Sequence, residues 1–333
     1  MLINVWLTTN CNLRCKYCYE GEEKPAMSMT QKTAEECCKF IRSQNDQLLI
    51  VQFHGGEPLL NYDLIEFIVK EILSHKKINQ KVMFGITTNG VFLTDERILF
   101  LAKHMDYGFS ISIDGNKQTH DLLRRTTAGE GSYDLIIKNV VSALSISDKI
   151  RLRMTFTPET VSSLADNVMY LIMLGGKCIV AHPDYFNNNW TEDHLKTYEM
   201  QLDKLKRINK AKGLKKQDIY ISLLEYEIFK KTKCTGGYTS INISPEGDFY
   251  PCTYVMYIPE YKIGSVYSGI NKDQLGRISK INDSEMTDCI GCNNYSSCLS
   301  VRCRYLNEQI TGSPTKPSPV ICAFENKNII FSI

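Results

Sequence analysis

Ile3-Asn4-Val5-Trp6-Leu7-Thr8-Thr9-Asn10-Cys11-Asn12-Leu13-Arg14-Cys15-Lys16-Tyr17-Cys18 runs an apolar, strand-like segment straight into three cysteines. Cys11, Cys15 and Cys18 offer one metal centre three thiolates, and the run contains no fourth. Zinc fingers and ribbons pair cysteines two residues apart and close a tetrahedron with four ligands, whereas here the first gap is longer. Iron–sulfur ligation suits the set better. A four-iron cluster held by three cysteines keeps one iron open to a ligand from outside, such as a cofactor or a substrate.

Beyond this run, apolar strand-like stretches alternate with amphipathic helical ones. The strands are expected at Ile3–Thr8, Leu48–Phe53, Val82–Thr87, Tyr107–Ile113, Arg151–Thr157 and Cys178–Ala181. Helices are expected near Thr30–Arg42, Tyr62–Ser74, Asp95–Lys103, Tyr133–Leu144, Val161–Leu174 and Asp193–Ala211. Short apolar strands, each followed by a helix, predict an α/β fold with a parallel sheet covered by helices, either doubly wound or curled into a barrel. The pattern alone does not choose between these two.

Composition narrows the function classes. The chain has 333 residues, 43% of them hydrophobic, enough for one large domain with a smaller one attached. Thirteen cysteines form an odd count below the density of a disulfide scaffold, which favours metal binding in a reducing compartment. No secretory signal opens the chain and no apolar run is long enough to span a bilayer. A formal net charge of +2 leaves no electrostatic footprint for nucleic acid. The basic stretch from Lys204 to Lys216 sits on a helical pattern and reads as a solvated face.

The cysteine spacing resembles the radical S-adenosylmethionine (radical SAM) superfamily. That resemblance implies a partial, six-unit (β/α) barrel with its chemistry at the carboxyl ends of the strands. It implies a 4Fe–4S cluster whose open iron binds SAM, and reductive cleavage of SAM to a 5′-deoxyadenosyl radical that removes hydrogen from an unactivated C–H bond. Four motifs follow successive strands: the cysteines, then His54-Gly55-Gly56-Glu57-Pro58, Thr87-Thr88-Asn89-Gly90, and Ser110-Ile111-Ser112-Ile113-Asp114-Gly115. By the same resemblance Tyr17 lies beside the adenine, Gly55, Gly56 and Glu57 meet the amino group of SAM, and Ser112 and Asp114 face the ribose. Asn89 is a further contact, and Arg124, ending His120-Asp121-Leu122-Leu123-Arg124, reaches the SAM carboxylate.

Past Gly213 the alternation stops and seven cysteines appear. The expected division is therefore residues 1–213 as barrel and 214–333 as a second, cysteine-rich module. Ser244-Pro245-Glu246-Gly247-Asp248 reads as a hairpin turn. The run Cys289-x2-Cys292-x5-Cys298 resembles the SPASM extension of radical SAM peptide-modifying enzymes, which carries auxiliary iron–sulfur clusters. Mapped by motif, Cys289, Cys292, Cys298 and Cys322 complete one cluster, while Cys234, Cys252 and Cys303 supply another. The second set has three ligands, because Glu225–Lys233 lacks the cysteine found there in fuller relatives. The gap from Cys298 to Cys303 is one residue longer than usual. Cys37, Cys38 and Cys178 read as packing residues.

A SPASM extension implies a maturase that modifies a precursor peptide or protein, forming a crosslink or another oxidative change. The alternative is an anaerobic sulfatase-maturating enzyme making formylglycine. That family has an aspartate after the cysteine matched by Cys252, and Thr253 stands there instead; threonine is a poor general base. A reading of another class is a non-catalytic iron–sulfur or zinc-binding protein. His182 and Asp184 follow the sixth strand and read as structural groups or substrate contacts. The expected partners are a low-potential electron donor, flavodoxin or ferredoxin, and a separate leader-binding protein if the barrel rim or the extension does not hold the peptide. No nucleic acid and no membrane are expected, and an anaerobic cytoplasm is the implied setting.

Overall fold

The computed structural model describes residues 1–21, 25–225, 230 and 233–332. The Glu225–Lys233 stretch, where a further cysteine was sought, therefore lies mostly outside the described residues. Each of the six expected strands is present, as Leu2–Trp6, Leu48–His54, Lys81–Thr88, Gly108–Ser112, Arg151–Phe156 and Cys178–Pro183. Helices follow at Gln31–Ser43, Tyr62–Ser74, Asp95–His104, Tyr133–Ile146, Leu164–Met173 and Glu192–Lys212. Three of these starts carry side-chain caps: Thr30 accepts from the Thr33 N–H, Thr94 from the Arg97 N–H and Thr191 from the His194 N–H, each satisfying a donor that the first helical turn leaves open. The chain separates into two compact units, each discontinuous in sequence.

One unit comprises Met1–Asn12, Glu20–Phe109 and Lys233–Ser284. Its central strand Leu2–Trp6 pairs parallel with Leu48–His54, and that strand with Lys81–Thr88. On its other side Leu2–Trp6 pairs parallel with Ser240–Ile243, a strand beyond the region where alternation was expected to end. Asn4 Nδ2 donates to Asn242 Oδ1 at 3.0 Å, a polar clasp on one face of this pair. The expected turn then returns the chain antiparallel into Asp248–Tyr250. On the opposite face Ile3 and Val5 are fully buried, and Phe40 of helix Gln31–Ser43 meets Phe249 with ring centroids 4.4 Å apart.

The other unit comprises Leu13–Tyr19, Ser110–Thr232 and Glu285–Ile333. Strands Gly108–Ser112, Arg151–Phe156, Cys178–Pro183 and Tyr220–Ile221 follow one another in parallel register. Two elements here had no counterpart in the periodicity. Helix Lys117–Leu123 is capped by Asn116, and a small antiparallel ladder pairs Leu13–Cys15 with Arg124–Thr126. Helix Pro319–Ser332 is fixed by Phe324, which packs against Trp190, Tyr198 and Phe156 at centroid distances of 4.8, 5.0 and 6.1 Å. Burying that one side chain contributes about 2–3 kcal/mol.

Candidate active site

In the first unit, the motif residues gather beyond the carboxyl end of strand Leu2–Trp6. The turn after Leu48–His54 lies against the segment leading to Cys11: Gly56 N–H donates to Thr8 O at 3.0 Å and Glu57 N–H to Asn10 O at 2.9 Å. A Cβ on Gly55 would sit 2.4 Å from Thr8 O, and one on Gly56 would sit 2.5 Å from Asn10 O. Both glycines thus admit the chain's own backbone, and the cysteine segment is held by main-chain bonds that no side chain could accommodate. Glu57 is 1% exposed. Its Oε1 accepts from Leu59 N–H at 3.0 Å and Thr88 Oγ1 at 2.7 Å, and its Oε2 from Asn89 N–H at 2.7 Å. Asn89 in turn donates to Asn12 Oδ1 at 2.9 Å, with the same Nδ2 lying 3.9 Å from Cys11 Sγ. An N–H donor at sulfur favours thiolate, the form that ligates metal.

Three more polar groups of this unit stand out. Trp6 Nε1, Thr253 Oγ1 and Tyr257 Oη are buried and have no hydrogen-bond partner among the described residues. Trp6 stacks on His54, its register partner, at 5.8 Å and meets Tyr257 edge-on at 6.4 Å. Tyr257 itself holds a left-handed backbone conformation at φ 65°. Cys234 and Cys252 belong to this unit and are half-buried.

The second unit carries a further set of motif residues. Asp114 is completely buried. Its Oδ2 accepts from Tyr17 Oη at 2.6 Å and Arg124 Nε at 2.9 Å, and its Oδ1 accepts from Thr155 N–H at 2.9 Å. The carboxylate expected at a ribose is thus committed to protein donors, and it positions Tyr17 and Arg124. Burial opposes the Arg124 charge, but Asp114, Tyr17 and Cys15 outweigh it and raise its pKa. Burial likewise pushes the Tyr17 phenol well above its ordinary value. The guanidinium lies 5.2 Å from the Tyr17 ring centroid, and its Nη1 lies 3.7 Å from Cys15 Sγ. Cys15 faces Arg124 directly in the ladder register. Ser112 is buried at the end of its strand, and Cys18 is exposed.

A relay supports this arrangement. Asp114 N–H donates to His120 Nδ1 at 3.4 Å, so His120 Nε2–H faces Ser132 Oγ at 3.0 Å, and Ser132 Oγ donates to Arg124 O at 2.9 Å. Nothing in the sequence pattern singled out Ser132 or Thr155. His182 reaches solvent, yet burial, with Arg153, lowers its imidazole to about 4. Asp184 is buried, which raises its pKa, and accepts from Phe186 N–H at 3.1 Å.

The carboxyl-terminal cysteines of this unit act on one another. Burial raises the Cys289 thiol, and Cys298, Cys292 and Cys322 push it the same way. Burial also raises Cys322, followed by Cys292, against Asn326 Nδ2 at 3.8 Å from the sulfur. The four thiols matched by motif are thus electrostatic neighbours. Cys303 lies between helices Leu299–Arg302 and Arg304–Thr311. None of the thirteen cysteines is in a disulfide. Among the described residues no three Cys, His, Asp or Glu side chains are drawn tightly enough to share a single ion, the closure a tetrahedral zinc requires. Soft thiols with N–H donors at sulfur are a donor set that an iron–sulfur cluster takes.

The family model described as Radical SAM superfamily matches residues 6–170. An uncharacterized protein of Methanocaldococcus jannaschii is 34% identical over 173 residues, which is 52% of this chain and 59% of that one. The chain thus aligns with under two thirds of that relative's length. A cysteine-type anaerobic sulfatase-maturating enzyme of Clostridium novyi is 24% identical over 327 residues, 88% of this chain and 85% of that one. Among solved structures, native anSMEcpe with bound AdoMet and the Kp18Cys peptide has the same fold, with a TM-score of 0.80 over 100% of this chain and 97% of that one at 17% identity. Streptococcus suis SuiB bound to the precursor peptide SuiA gives a TM-score of 0.67 at 15% identity, over 96% and 75% of the two chains. No helix among the described residues is long and apolar enough to cross a membrane. The cysteine run, the strand-end motifs and the α/β fold agree in placing a radical SAM domain, the kind that takes a 4Fe–4S cluster and SAM, over residues 6–170.

Proposed function

We infer that this enzyme modifies a peptide or protein side chain, as a maturase that installs a crosslink or another oxidative change. The observation that carries the reading is the pairing of two thiol sets in one chain. Cys11, Cys15 and Cys18 would hold the SAM-binding cluster, and Cys289, Cys292, Cys298 and Cys322, already electrostatic neighbours, would hold an auxiliary one. Cys234, Cys252 and Cys303 would serve a second auxiliary cluster with an open position. SAM chemistry falls to residues 1–213 and the auxiliary clusters to 214–333. When bound, cluster and SAM supply a carbon-centred radical able to take a hydrogen atom from an unactivated C–H bond.

The chain's own residues bind and orient. Gly55, Gly56 and Glu57 fix the segment bearing Cys11, and Asn89 directs an N–H at that sulfur. Tyr17, Arg124, Asp114 and Ser112 would form the wall against SAM, with Asp114 holding the first two in place. That a sulfatase-maturating relative aligns along 88% of this chain, and that both solved neighbours are bound to peptides, supports a peptide substrate. Formylglycine formation is the second reading; against it, Thr253 puts a hydroxyl where that chemistry is expected to place a carboxylate base. Flavodoxin or ferredoxin would supply electrons in an anaerobic cytoplasm, with a separate leader-binding protein as a third component.

Anaerobic reconstitution with iron and sulfide, followed by SAM, reductant and candidate precursor peptides, tests the proposal. Formation of 5′-deoxyadenosine with loss of two hydrogens from the peptide is expected. Conversion of a sulfatase-motif peptide to formylglycine would favour the second reading, and 5′-deoxyadenosine formed equally by a Cys11/Cys15/Cys18→Ala variant would overturn both.

A further inference from the structure

Arg124 is held from three sides by residues of its own unit. Its Nε donates to Asp114 Oδ2 at 2.9 Å, its Nη1 to Cys15 Sγ at 3.7 Å, and its Cζ lies 5.2 Å from the Tyr17 ring centroid. The backbone imposes the same meeting. Cys15 and Arg124 are register partners in the small ladder, and Lys16 N–H donates to Leu123 O at 2.9 Å at its end. Asp114 is completely buried and Arg124 is 8% exposed. Because Tyr17 Oη and Thr155 N–H also donate to Asp114, the carboxylate is fixed, and it turns one edge of the guanidinium towards the sulfur. A planar guanidinium serves two acceptors along two edges at once, which the point charge of a lysine does not. Cys11, by contrast, has a neutral donor: Asn89 Nδ2 at 3.9 Å, shared with Asn12 Oδ1.

We propose that Arg124 raises the reduction potential of the SAM-binding cluster through its N–H···S bond to Cys15, with Asp114 and Tyr17 as positioning residues. The proposal rests on the reading that Cys11, Cys15 and Cys18 hold that cluster. One-electron reduction gives the cluster one more negative charge, part of it on the cysteine sulfurs. A hydrogen-bond donor and a fixed cation at a sulfur in a buried site stabilise the reduced state more than the oxidised one. The electron comes from an external one-electron reductant, which is oxidised in the step. No proton moves, because the guanidinium stays charged throughout. A guanidinium serving only the SAM carboxylate needs neither the register opposite Cys15 nor the bond to its sulfur.

The test uses the full-length protein reconstituted with iron and sulfide, its Arg124→Lys variant, and an Arg124→Met/Asp114→Asn variant in which neither charge is left buried without its partner. The EPR signal of the reduced amino-terminal cluster is identified as the one that SAM alters and that a Cys11/Cys15/Cys18→Ala variant lacks. That signal is titrated with titanium(III) citrate and redox mediators in the absence of SAM, and SAM binding is measured separately by equilibrium dialysis. The equilibrium constant for reduction should fall at least about tenfold in the double variant, which is about 59 mV for one electron, and by less in Arg124→Lys. Signals that survive in the Cys11/Cys15/Cys18→Ala variant should keep their potentials. An unchanged potential at parent iron content would overturn the proposal, including the case in which SAM affinity alone falls and Arg124 serves the SAM carboxylate. Failure of both Arg124 variants to take up iron at the amino-terminal site would overturn it in favour of a structural clamp. A parent protein without a SAM-responsive signal would refute the cluster assignment itself, and is told apart because Arg124 is then unaltered.

Discussion

Asp114 and Arg124, ten residues apart in sequence, form a buried ion pair in which Arg124 Nε donates to Asp114 Oδ2 at 2.9 Å. Strand Gly108–Ser112 leads into the first residue, and the ladder opposite Cys15 holds the second. The pair therefore couples the strand-end motif to the cysteine segment. Burying two charges is costly, and the arrangement persists because Tyr17 and Thr155 supply further donors to the carboxylate. Removing one partner strands the other. Asp114→Asn should lower stability by about 3–5 kcal/mol, read as the urea midpoint of the metal-free protein. A change below about 1 kcal/mol would mean that Arg124 readily finds another counter-charge.

Gly56→Ala tests the close approach of the strand-end turn to the cysteine segment. Its Cβ would meet the carbonyl oxygens of Asn10 and Thr9 at 2.5 and 2.7 Å, both main-chain atoms that cannot rotate away. A cost of about 1–3 kcal/mol is expected, with iron uptake at the amino-terminal site falling in step. Gly276, inside helix Lys272–Asp283, has nothing within 4 Å of its Cβ position. Gly276→Ala should instead stabilise by about 0.4–1 kcal/mol through the unfolded chain. Equal effects at the two sites would sink the steric argument.

The six strand–helix units were legible because apolar alternation and helical periodicity extend over six or more residues in most of them. Leu13–Cys15 is too short to show any period, and its partner Arg124–Thr126 is equally short, so the ladder was invisible. The parallel pairing of Ser240–Ile243 with Leu2–Trp6 was hidden for another reason: 238 residues separate Asn4 from Asn242, and no local signal reports on register. Gly55 and Gly56 were expected to meet the amino group of SAM, and no local signal told that the chain's own main chain lies against them. What approaches them, Thr8 O and Asn10 O, depends on how the cysteine segment folds back.

His120 predicts an acid-side loss of stability. Burial, with the Arg124 charge, lowers its imidazole to about 3, against an ordinary value of 6.5. Native His120 is therefore neutral at pH 5, where the unfolded chain already binds a proton. Its contribution is complete above pH 6.5 and falls as pH drops towards 3, reaching about 2 kcal/mol of loss at pH 5. Urea midpoints at pH 7.5, 6.5 and 5.0 should fall less steeply for His120→Asn than for the parent (pH settings chosen at about one to two pH units either side of the imidazole value). Parallel pH profiles would assign the loss to other groups.

Trp6 is 1% exposed, yet its Nε1–H has no partner among the described residues. A buried donor without an acceptor costs about 1–3 kcal/mol, so removing it returns that penalty. Trp6→Phe keeps a ring to stack on His54 and to meet the Tyr257 edge, but gives up indole volume that costs a similar amount. The two effects oppose, and the metal-free variant should stay within about 1 kcal/mol of the parent. Tyr257→Phe removes a second orphaned donor from a residue already held at φ 65°, with no volume lost beyond one oxygen, and should be neutral or slightly stabilising. If both substitutions cost more than about 2 kcal/mol, the two groups are satisfied by ordered water in the folded protein. If both are neutral for stability while peptide turnover falls and 5′-deoxyadenosine formation holds, their unmet donors are completed by the substrate, because only the productive complex then feels their loss.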